Sequence, residues 1–276
     1  MKTKTAAALR IKRLYHYQSF EKPERLARIF TDGTLYFSRP RDFNDPWDCR
    51  PFFNKSALDD PADYDRAVRW LVHCDRTHNT SLSEEEHVRR EKEVRGNRKL
   101  LEWMIDEMTA AMEKAIQEQY RLYCLSTHPD STLMWAHYAA SCRGVCLEFS
   151  VENELFCGAL PVAYLHSYPR FSIAATDEDE NLQPLLTKSA VWCYEDEFRL
   201  IASEHPFVFP DVPTTKGGFL ALPKGALRSV IVGAEMPASD REIVKTLVAD
   251  SGWGVDLKVA SLVPDRYEFQ ITDFKS

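Results

Sequence analysis

Residues 13–18, Arg-Leu-Tyr-His-Tyr-Gln, form the stretch from which the fold can be worked out. The two tyrosines within this short run favour a strand. The alternation of side chains along a strand places Leu14, His16 and Gln18 on one face and the two tyrosines on the other. A short helix that begins at a proline follows, and residues 34–38 are predicted as a second strand.

The rest of the chain mixes predicted strands and helices in irregular order. Apolar runs predict further strands over residues 122–126, 145–149, 162–165, 191–202, 227–232, 256–262 and 266–271. Ser131 is expected to cap a short helix, and residues 239–250 are predicted as another. Because strands outnumber helices and do not alternate with them strictly, the sequence predicts an α+β fold with a mixed or antiparallel central sheet.

A helical insertion is predicted over residues 60–120, where charged residues are dense and apolar residues recur three and four apart. The chain has no internal repeat and no linker long enough to separate two units. We therefore expect residues 1–276 to form one domain, with 13–58 and 121–205 as its core. The acidic stretch 170–187 is expected to be a solvated loop.

The composition limits the classes of function. The formal charge is -7, from 35 basic and 42 acidic residues, which disfavours a general nucleic-acid coat or a polybasic membrane binder. No apolar run reaches the roughly 20 residues that a membrane span needs. The seven cysteines are odd in number and irregularly spaced, which favours reduced thiols. The sequence therefore predicts a cytoplasmic protein with no membrane partner.

The segment from Val191 to Ile201 (VWCYEDEFRLI) holds the densest group of charged residues within a strand-like run. On one continuous strand, Glu195, Glu197 and Arg199 would share a face, with the two carboxylates about 7 Å apart. Such carboxylates repel, and Arg199 could compensate their charge. This group suits acid–base catalysis or the stabilisation of a cationic transition state, although a solvated strand face with a Glu–Arg pair has the same pattern.

The loop Phe43-Asn-Asp-Pro-Trp-Asp48 concentrates oxygen ligands. Its two carboxylates and one amide could bind a hard cation such as Mg²⁺. The same residue types form Asx turns, in which Asn44 and Asp45 bond to their own backbone next to Pro46. The sequence leaves both interpretations open.

Three aromatic or imidazole side chains lie on the short helix after Ser131. Trp135 and Tyr138 share one face, and His137 lies on an adjacent face. At helical spacing such residues usually fill a core. Beside a cleft, they could instead stack on a nucleobase or a nicotinamide ring.

The two N-terminal strands carry further polar candidates. His16 is either a hydrogen-bonded strand residue or a ligand contact. Tyr36 and Ser38 share a face of the second strand, and Ser38 lacks the flanking glycines of a hydrolase nucleophile.

Four linked motifs resemble a known bacterial family. They are Leu14-Tyr-His-Tyr17, Leu35-Tyr-Phe-Ser-Arg-Pro-Arg-Asp-Phe-Asn-Asp-Pro-Trp-Asp48, Leu133-Met-Trp-Ala-His-Tyr138 with Gly144-Val-Cys-Leu-Glu-Phe149, and Trp192-Cys-Tyr-Glu-Asp-Glu-Phe-Arg199. Together they look like the domain-of-unknown-function 2971 family over roughly residues 13–205. That resemblance implies no established activity.

The order of some of these residues also resembles the ADP-ribosyltransferase fold. This second resemblance implies a split central sheet, NAD as substrate, Glu197 as the catalytic carboxylate, Glu195 as its partner and His16 as an NAD contact. Tyr36 or Trp135 would stack on nicotinamide. The residues expected to contact the nucleotide are Tyr15, Tyr17, Tyr36, Ser38, Asn44, Asp45, Trp135, His137, Tyr138 and Arg199.

Three functional hypotheses follow. The first is an NAD-using transferase or NAD-cleaving enzyme, such as a bacterial defence or stress effector, with a protein or nucleic acid as acceptor. The second is a Mg²⁺-dependent, nuclease-like enzyme with ligands Asp45, Asp48, Glu195 and Glu197 and with Lys188 nearby. The third is a non-enzymatic module that senses a ligand or binds a partner.

Overall fold

The computed structural model describes residues 3–168, 182–205 and 212–274, so most of the predicted acidic loop lies outside the described residues. The helices in these ranges are α1 (Pro23–Thr31), α2 (Pro61–His78), α3 (Glu84–Gly96), α4 (Arg98–Gln119), α5 (Thr132–Tyr138) and α6 (Ala238–Ser251). The strands are β1 (Arg13–Gln18), β2 (Thr34–Tyr36), β3 (Tyr120–Ser126), β4 (Val145–Ser150), β5 (Leu160–Pro161), β6 (Ala163–Leu165), β7 (Thr187–Ser189), β8 (Glu197–Ser203), β9 (Phe219–Ala221), β10 (Leu227–Val232), β11 (Asp256–Leu262) and β12 (Phe269–Asp273).

The main sheet has eight strands in the order β12-β11-β10-β4-β1-β3-β8-β5. Strands β10 and β11 run parallel, and the other neighbouring pairs are antiparallel. The predicted α+β fold with a mixed central sheet is therefore confirmed. Because β1 lies between β4 and β3, the stretch at residues 13–18 forms an interior strand of this sheet.

The N-terminal unit forms for the reasons that the sequence indicates. Pro23 occupies the first turn of α1, where its missing N–H costs no helical hydrogen bond. The helix buries Leu26 and Ile29 in the main apolar core, which also contains Leu14 of β1. Tyr17 packs on the opposite side of β1 in a second apolar cluster. The predicted alternation of faces along β1 is confirmed.

The sheet opens between β1 and β3. Strand β1 pairs with β4 over all six of its residues, but its register with β3 consists of Tyr15 opposite Ser126. Nearer the start of β3, Leu122 exchanges two backbone hydrogen bonds of 2.9 Å with Ser38, and the register with β1 does not include Leu122. Strands β1 and β3 therefore diverge after one paired position, and a gap forms between their backbones.

The predicted strand over residues 191–202 is wrong in its first half. Residues Ala190–Glu195 form a 3₁₀ helix, and Asp196 has a left-handed φ of 41°, before β8 begins at Glu197. Aspartate tolerates this conformation better than most residues because its side chain bonds locally. The chain turns at Asp196, so Glu195 and Glu197 do not share one strand face.

The helical insertion consists of α2, α3 and α4, as the sequence predicts. These helices share an apolar cluster separate from the main core. Ile116 of α4 joins a further cluster with Leu122 of β3 and Cys49, which attaches the insertion to the sheet. Within the part of the chain that the structure describes, no helix has the length and apolar character that crossing a bilayer requires.

Gly144 lies directly against the C-terminal end of β1. A Cβ at Gly144 would lie 2.2 Å from the backbone oxygen of Gln18, far inside van der Waals contact. Glycine permits this close approach because it has no side chain. A side chain at position 144 would force the end of β1 to move.

Candidate functional site

The gap between β1 and β3 holds a cavity of about 630 Å³. Its walls come from residues 15–18 of β1 and 122–125 of β3, from α1 and β2, and from the 3₁₀ helix that precedes β8. This volume lies within the roughly 300–1,000 Å³ of typical small-molecule sites. The local failure of strand pairing therefore creates a space large enough for a nucleotide.

Most of the residues predicted to form a site line this one cavity. They are Tyr15, His16, Tyr17, Tyr36, Ser38, Asn44, His137, Tyr138, Glu195, Glu197 and Arg199. The four sequence motifs, which are distant along the chain, thus meet in one place.

Trp135 and Asp45 do not line the cavity. The indole of Trp135 is fully buried in an apolar cluster, and its Nε1 donates a 2.8 Å hydrogen bond to the carbonyl of Pro129. It has no free ring face for nicotinamide, so that prediction is wrong. The carboxylate of Asp45 accepts a 2.9 Å hydrogen bond from the N–H of Trp47, which is the Asx turn that the sequence offered as the alternative to a cation site.

Arg199 is the centre of a buried group of charges at one end of the cavity. Its guanidinium binds both oxygens of Asp48, at 2.9 and 2.6 Å, and both oxygens of Glu197, at 2.7 and 2.9 Å. The Arg199 side chain has no exposed surface. Fork-shaped pairing of this kind fixes the orientation of both carboxylates.

Lys188 occupies the space between the carboxylates. Its Nζ lies 2.6 Å from Glu195, 3.5 Å from Glu197 and 3.7 Å from Asp48. The Tyr138 hydroxyl donates a 2.5 Å hydrogen bond to the other oxygen of Glu195. We call these residues the charged end of the cavity: Asp48, Tyr138, Lys188, Glu195, Glu197 and Arg199.

The two glutamates differ in their electrostatic surroundings. Burial raises the pKa of Glu195, and the attraction of Lys188 only partly offsets this effect. Burial also opposes ionisation of Glu197, but Arg199 and Lys188 outweigh it and lower its pKa to about 2. Neighbouring carboxyls whose pKa values are driven apart are typical of acid–base sites.

The charged end contains three carboxylates and two cationic side chains. With all five groups ionised, it carries one uncompensated negative charge inside the protein. Such a charge is costly to bury unless a proton or a positive group of a ligand joins it. The charged end is therefore suited to hold a ligand with a positive centre.

His16 contributes to the cavity as a neutral side chain. Its Nδ1–H donates a 2.8 Å hydrogen bond to the carbonyl of Cys124, and its ring stacks on Tyr123 with centroids 4.2 Å apart. Burial lowers the pKa of His16 to about 4. The remaining nitrogen, Nε2, is then a hydrogen-bond acceptor at neutral pH.

The strand register separates His16 from the glutamates. Cys124 of β3 pairs with Arg199 and Ser126 with Glu197, so these residues share one face of the sheet. His16 stacks on Tyr123, whose neighbours in β3 point to that face, so both rings lie on the opposite face. The cavity therefore has two chemically different ends, one on each side of the gap.

The geometry does not favour the Mg²⁺ hypothesis. Asp45 takes no part in the cluster, and the oxygens of Asp48, Glu195 and Glu197 are already bound by Lys188 and Arg199. In the ranges that the structure describes, no group of histidine, cysteine, aspartate or glutamate side chains is arranged to hold a metal ion.

Sequence reasoning missed two features of the site. Asp48 was predicted as a metal ligand and is instead the partner of Arg199. Gln18 and Tyr123 were not predicted as site residues, although both line the cavity. The alternation along β1, which places Gln18 on the face of His16, was the available signal for Gln18.

Comparison of the chain with protein-family models, with curated proteins and with solved structures found no match. The case for a function therefore depends on the geometry of the cavity.

Proposed function

We propose that this chain is an NAD-cleaving enzyme or an NAD-using transferase, and that the cavity between β1 and β3 holds the dinucleotide. The observation that supports this proposal best is the convergence of His16, Tyr36, Ser38, Glu195 and Glu197 on one nucleotide-sized cavity. These residues also follow one another in the order that the ADP-ribosyltransferase resemblance implies, and a gap in the central sheet is what that resemblance leads one to expect.

The charged end suits the chemistry of this reaction. Cleavage breaks the bond between the ribose C1′ and the nicotinamide nitrogen, and the bonding electrons leave with neutral nicotinamide. The ribose is left as an oxocarbenium ion, which the uncompensated negative charge of the charged end stabilises. Water or an acceptor nucleophile then adds to C1′ and gives up a proton to a carboxylate of the charged end.

The contacts favour Glu195 over Glu197 as the carboxylate that acts on substrate. Glu197 is bound through both oxygens by Arg199, whereas Glu195 is held by the hydroxyl of Tyr138 and by Lys188. The raised pKa of Glu195 also makes it the better proton acceptor. We therefore assign Glu195 to the reaction and Glu197 to the positioning of Arg199, which reverses the roles predicted from the sequence.

Two arginines of α1 can donate hydrogen bonds to a diphosphate. Arg25 and Arg28 line the cavity beside the acidic Glu24 and Asp42, and neither arginine forms a side-chain ion pair with any of the residues that the structure describes. Arg28 lies over the ring of Phe219 at 5.2 Å. One guanidinium group can donate two parallel hydrogen bonds to the oxygens of a phosphate.

The proposal places the enzyme in the cytoplasm, where NAD is available. All seven cysteines are free thiols, which is consistent with a reducing compartment. The acceptor, if there is one, would be a protein or a nucleic acid.

Incubation with NAD followed by chromatography of released nicotinamide tests the proposal. We expect release by the wild-type chain and a loss of at least about 100-fold in Glu195→Gln, since this change removes the charge and keeps the shape. Release at the wild-type rate by that variant would refute the assignment. Tight binding of NAD without any turnover would instead favour the non-enzymatic, ligand-sensing module.

A further inference from the structure

The end of the cavity on the His16 face contains polar atoms that lack partners. Among the described residues, the hydroxyl of Tyr123 and the Nε2 of Gln18 are the buried side-chain atoms without a hydrogen bond. Both residues line the cavity, and Tyr123 as a whole is 3% exposed. Burying a polar group without a partner is unfavourable, and unpaired groups are rare in native proteins. Two such groups beside one cavity point to a ligand that forms hydrogen bonds with both.

His16 adds a third group to this place. Its Nδ1–H is used by the carbonyl of Cys124, which leaves Nε2 as an acceptor with no partner among the described residues. The imidazole stacks on the Tyr123 ring, and Gln18 lies two residues along β1 on the same face. We call His16, Gln18 and Tyr123 the recognition end of the cavity. It offers a donor, an acceptor and a hydroxyl that can serve as either.

The walls around these groups are apolar. The cavity is also lined by Ile29 of α1, Leu35 of β2 and Leu125 of β3. All three belong to the main apolar core. A ligand that fits here has apolar faces and a polar edge. A sugar carries hydroxyls around its whole ring and matches such walls poorly, whereas a purine base has two apolar faces and donors and acceptors on its edge.

From these contacts we propose that the recognition end is a purine subsite, in which the base edge completes Gln18, Tyr123 and His16. This inference rests on the proposed function in one respect, because it assigns the adenine of NAD to the end opposite the carboxylates. The subsite binds adenosine monophosphate on its own, so its existence is tested without any turnover.

Titration calorimetry with adenosine monophosphate and with ribose 5-phosphate tests the subsite. The wild-type chain should bind the nucleotide at least about tenfold more tightly than the sugar phosphate. Tyr123→Phe and Gln18→Leu should each weaken nucleotide binding about five- to tenfold, since each removes one hydrogen bond to the base. Equal affinities for the two ligands, or unchanged affinity in both variants, would overturn the proposal.

The melting temperature separates recognition from a structural role. Because the Tyr123 hydroxyl has no partner in the free protein, Tyr123→Phe should leave the melting temperature unchanged or raise it. Tyr64→Phe is the matched control, since the Tyr64 hydroxyl bonds the carbonyl of Arg95 in the helical insertion. That control should lower the melting temperature slightly and leave nucleotide affinity unchanged. A control that weakened nucleotide binding as much as Tyr123→Phe would count against a local subsite.

Failure of the subsite and failure of the proposed function give different results. Nicotinamide release with no effect of Tyr123→Phe or Gln18→Leu on nucleotide affinity would refute the subsite and leave the enzymatic proposal standing. Tight nucleotide binding that both variants weaken, without nicotinamide release, would support the subsite and refute the cleavage reaction.

Discussion

The two ends of the cavity differ in whether their polar side chains have hydrogen-bond partners when no ligand is bound. At the charged end every carboxylate has a partner within the protein, and the Arg199 and Lys188 side chains lie among them. At the recognition end, Gln18 and Tyr123 have buried polar atoms with no partner among the described residues. In the free protein the reactive carboxylates are therefore already hydrogen-bonded, whereas the groups proposed to identify the ligand lack hydrogen-bond partners. Changes at the two ends should affect stability in opposite directions.

Arg199→Met should have the largest effect on stability. It removes the guanidinium that binds Asp48 and Glu197 and leaves Lys188 as the cation beside their two buried carboxylates. Breaking a buried charge pair from one side costs about 3–5 kcal/mol. Chemical denaturation measures the difference in the free energy of unfolding.

Arg95→Met is the matched control for that change. Arg95 also binds two carboxylates, those of Asp65 and Glu91, but on the surface of the helical insertion. Exposed pairs contribute about 0–1 kcal/mol. A similar loss of stability in the two variants would contradict the idea that burial distinguishes the charged end.

Glu197→Gln should have the next largest effect on stability, and the size of this effect should depend on pH. The pKa of Glu197 is lowered from 4.5 to about 2, so its ionised form stabilises the folded chain above pH 4.5, and this contribution disappears as the pH falls towards 2. The full contribution is about 3 kcal/mol. Denaturation curves should show a large deficit of the variant at pH 6 that shrinks below pH 4.5. A deficit independent of pH would mean that the Glu197 carboxylate is not held ionised.

Tyr138→Phe should have a smaller effect on stability and a clear one on activity. The change removes the hydrogen bond to Glu195 and leaves the ring in place. We expect a loss of about 1–2 kcal/mol in the free energy of unfolding and a change in the pH profile of nicotinamide release, because this bond helps to set the proton affinity of Glu195. An unchanged pH profile would show that Tyr138 has only a structural role.

Local signals made the elements of the sheet predictable. Residues 13–18 contain two tyrosines, which favour a strand, α1 begins at Pro23, and the side chain of Ser131 caps α5 as predicted. Each of these features depends on neighbours in the chain, so one sequence contains them. The fold class followed from the number and order of such segments.

The turn at Asp196 shows where local reasoning fails. Residues 191–202 are apolar and aromatic enough to predict a strand, but the left-handed conformation of Asp196 divides them. Without that turn, the geometry of a strand would place both glutamates on one face. With it, Glu195 reaches Tyr138 and Lys188 while Glu197 binds Arg199.

The partners of the site could not be predicted because they are distant in the sequence. Asp48 and Arg199 are 151 residues apart, and their contact forms once the chain has folded. Trp135 has the composition of a ring-stacking residue, but tertiary packing buries it. The types of the site residues could be predicted, whereas their partners needed the fold.

The measurement that tests the central claim most directly is nicotinamide release from NAD by the wild-type chain and by Glu195→Gln, with the melting temperature of both recorded. The account predicts release by the wild-type chain, a loss of at least about 100-fold in the variant, and a folded variant that still binds adenosine monophosphate. Equal release by the two proteins, or binding of NAD by the wild-type chain without any release, would contradict it.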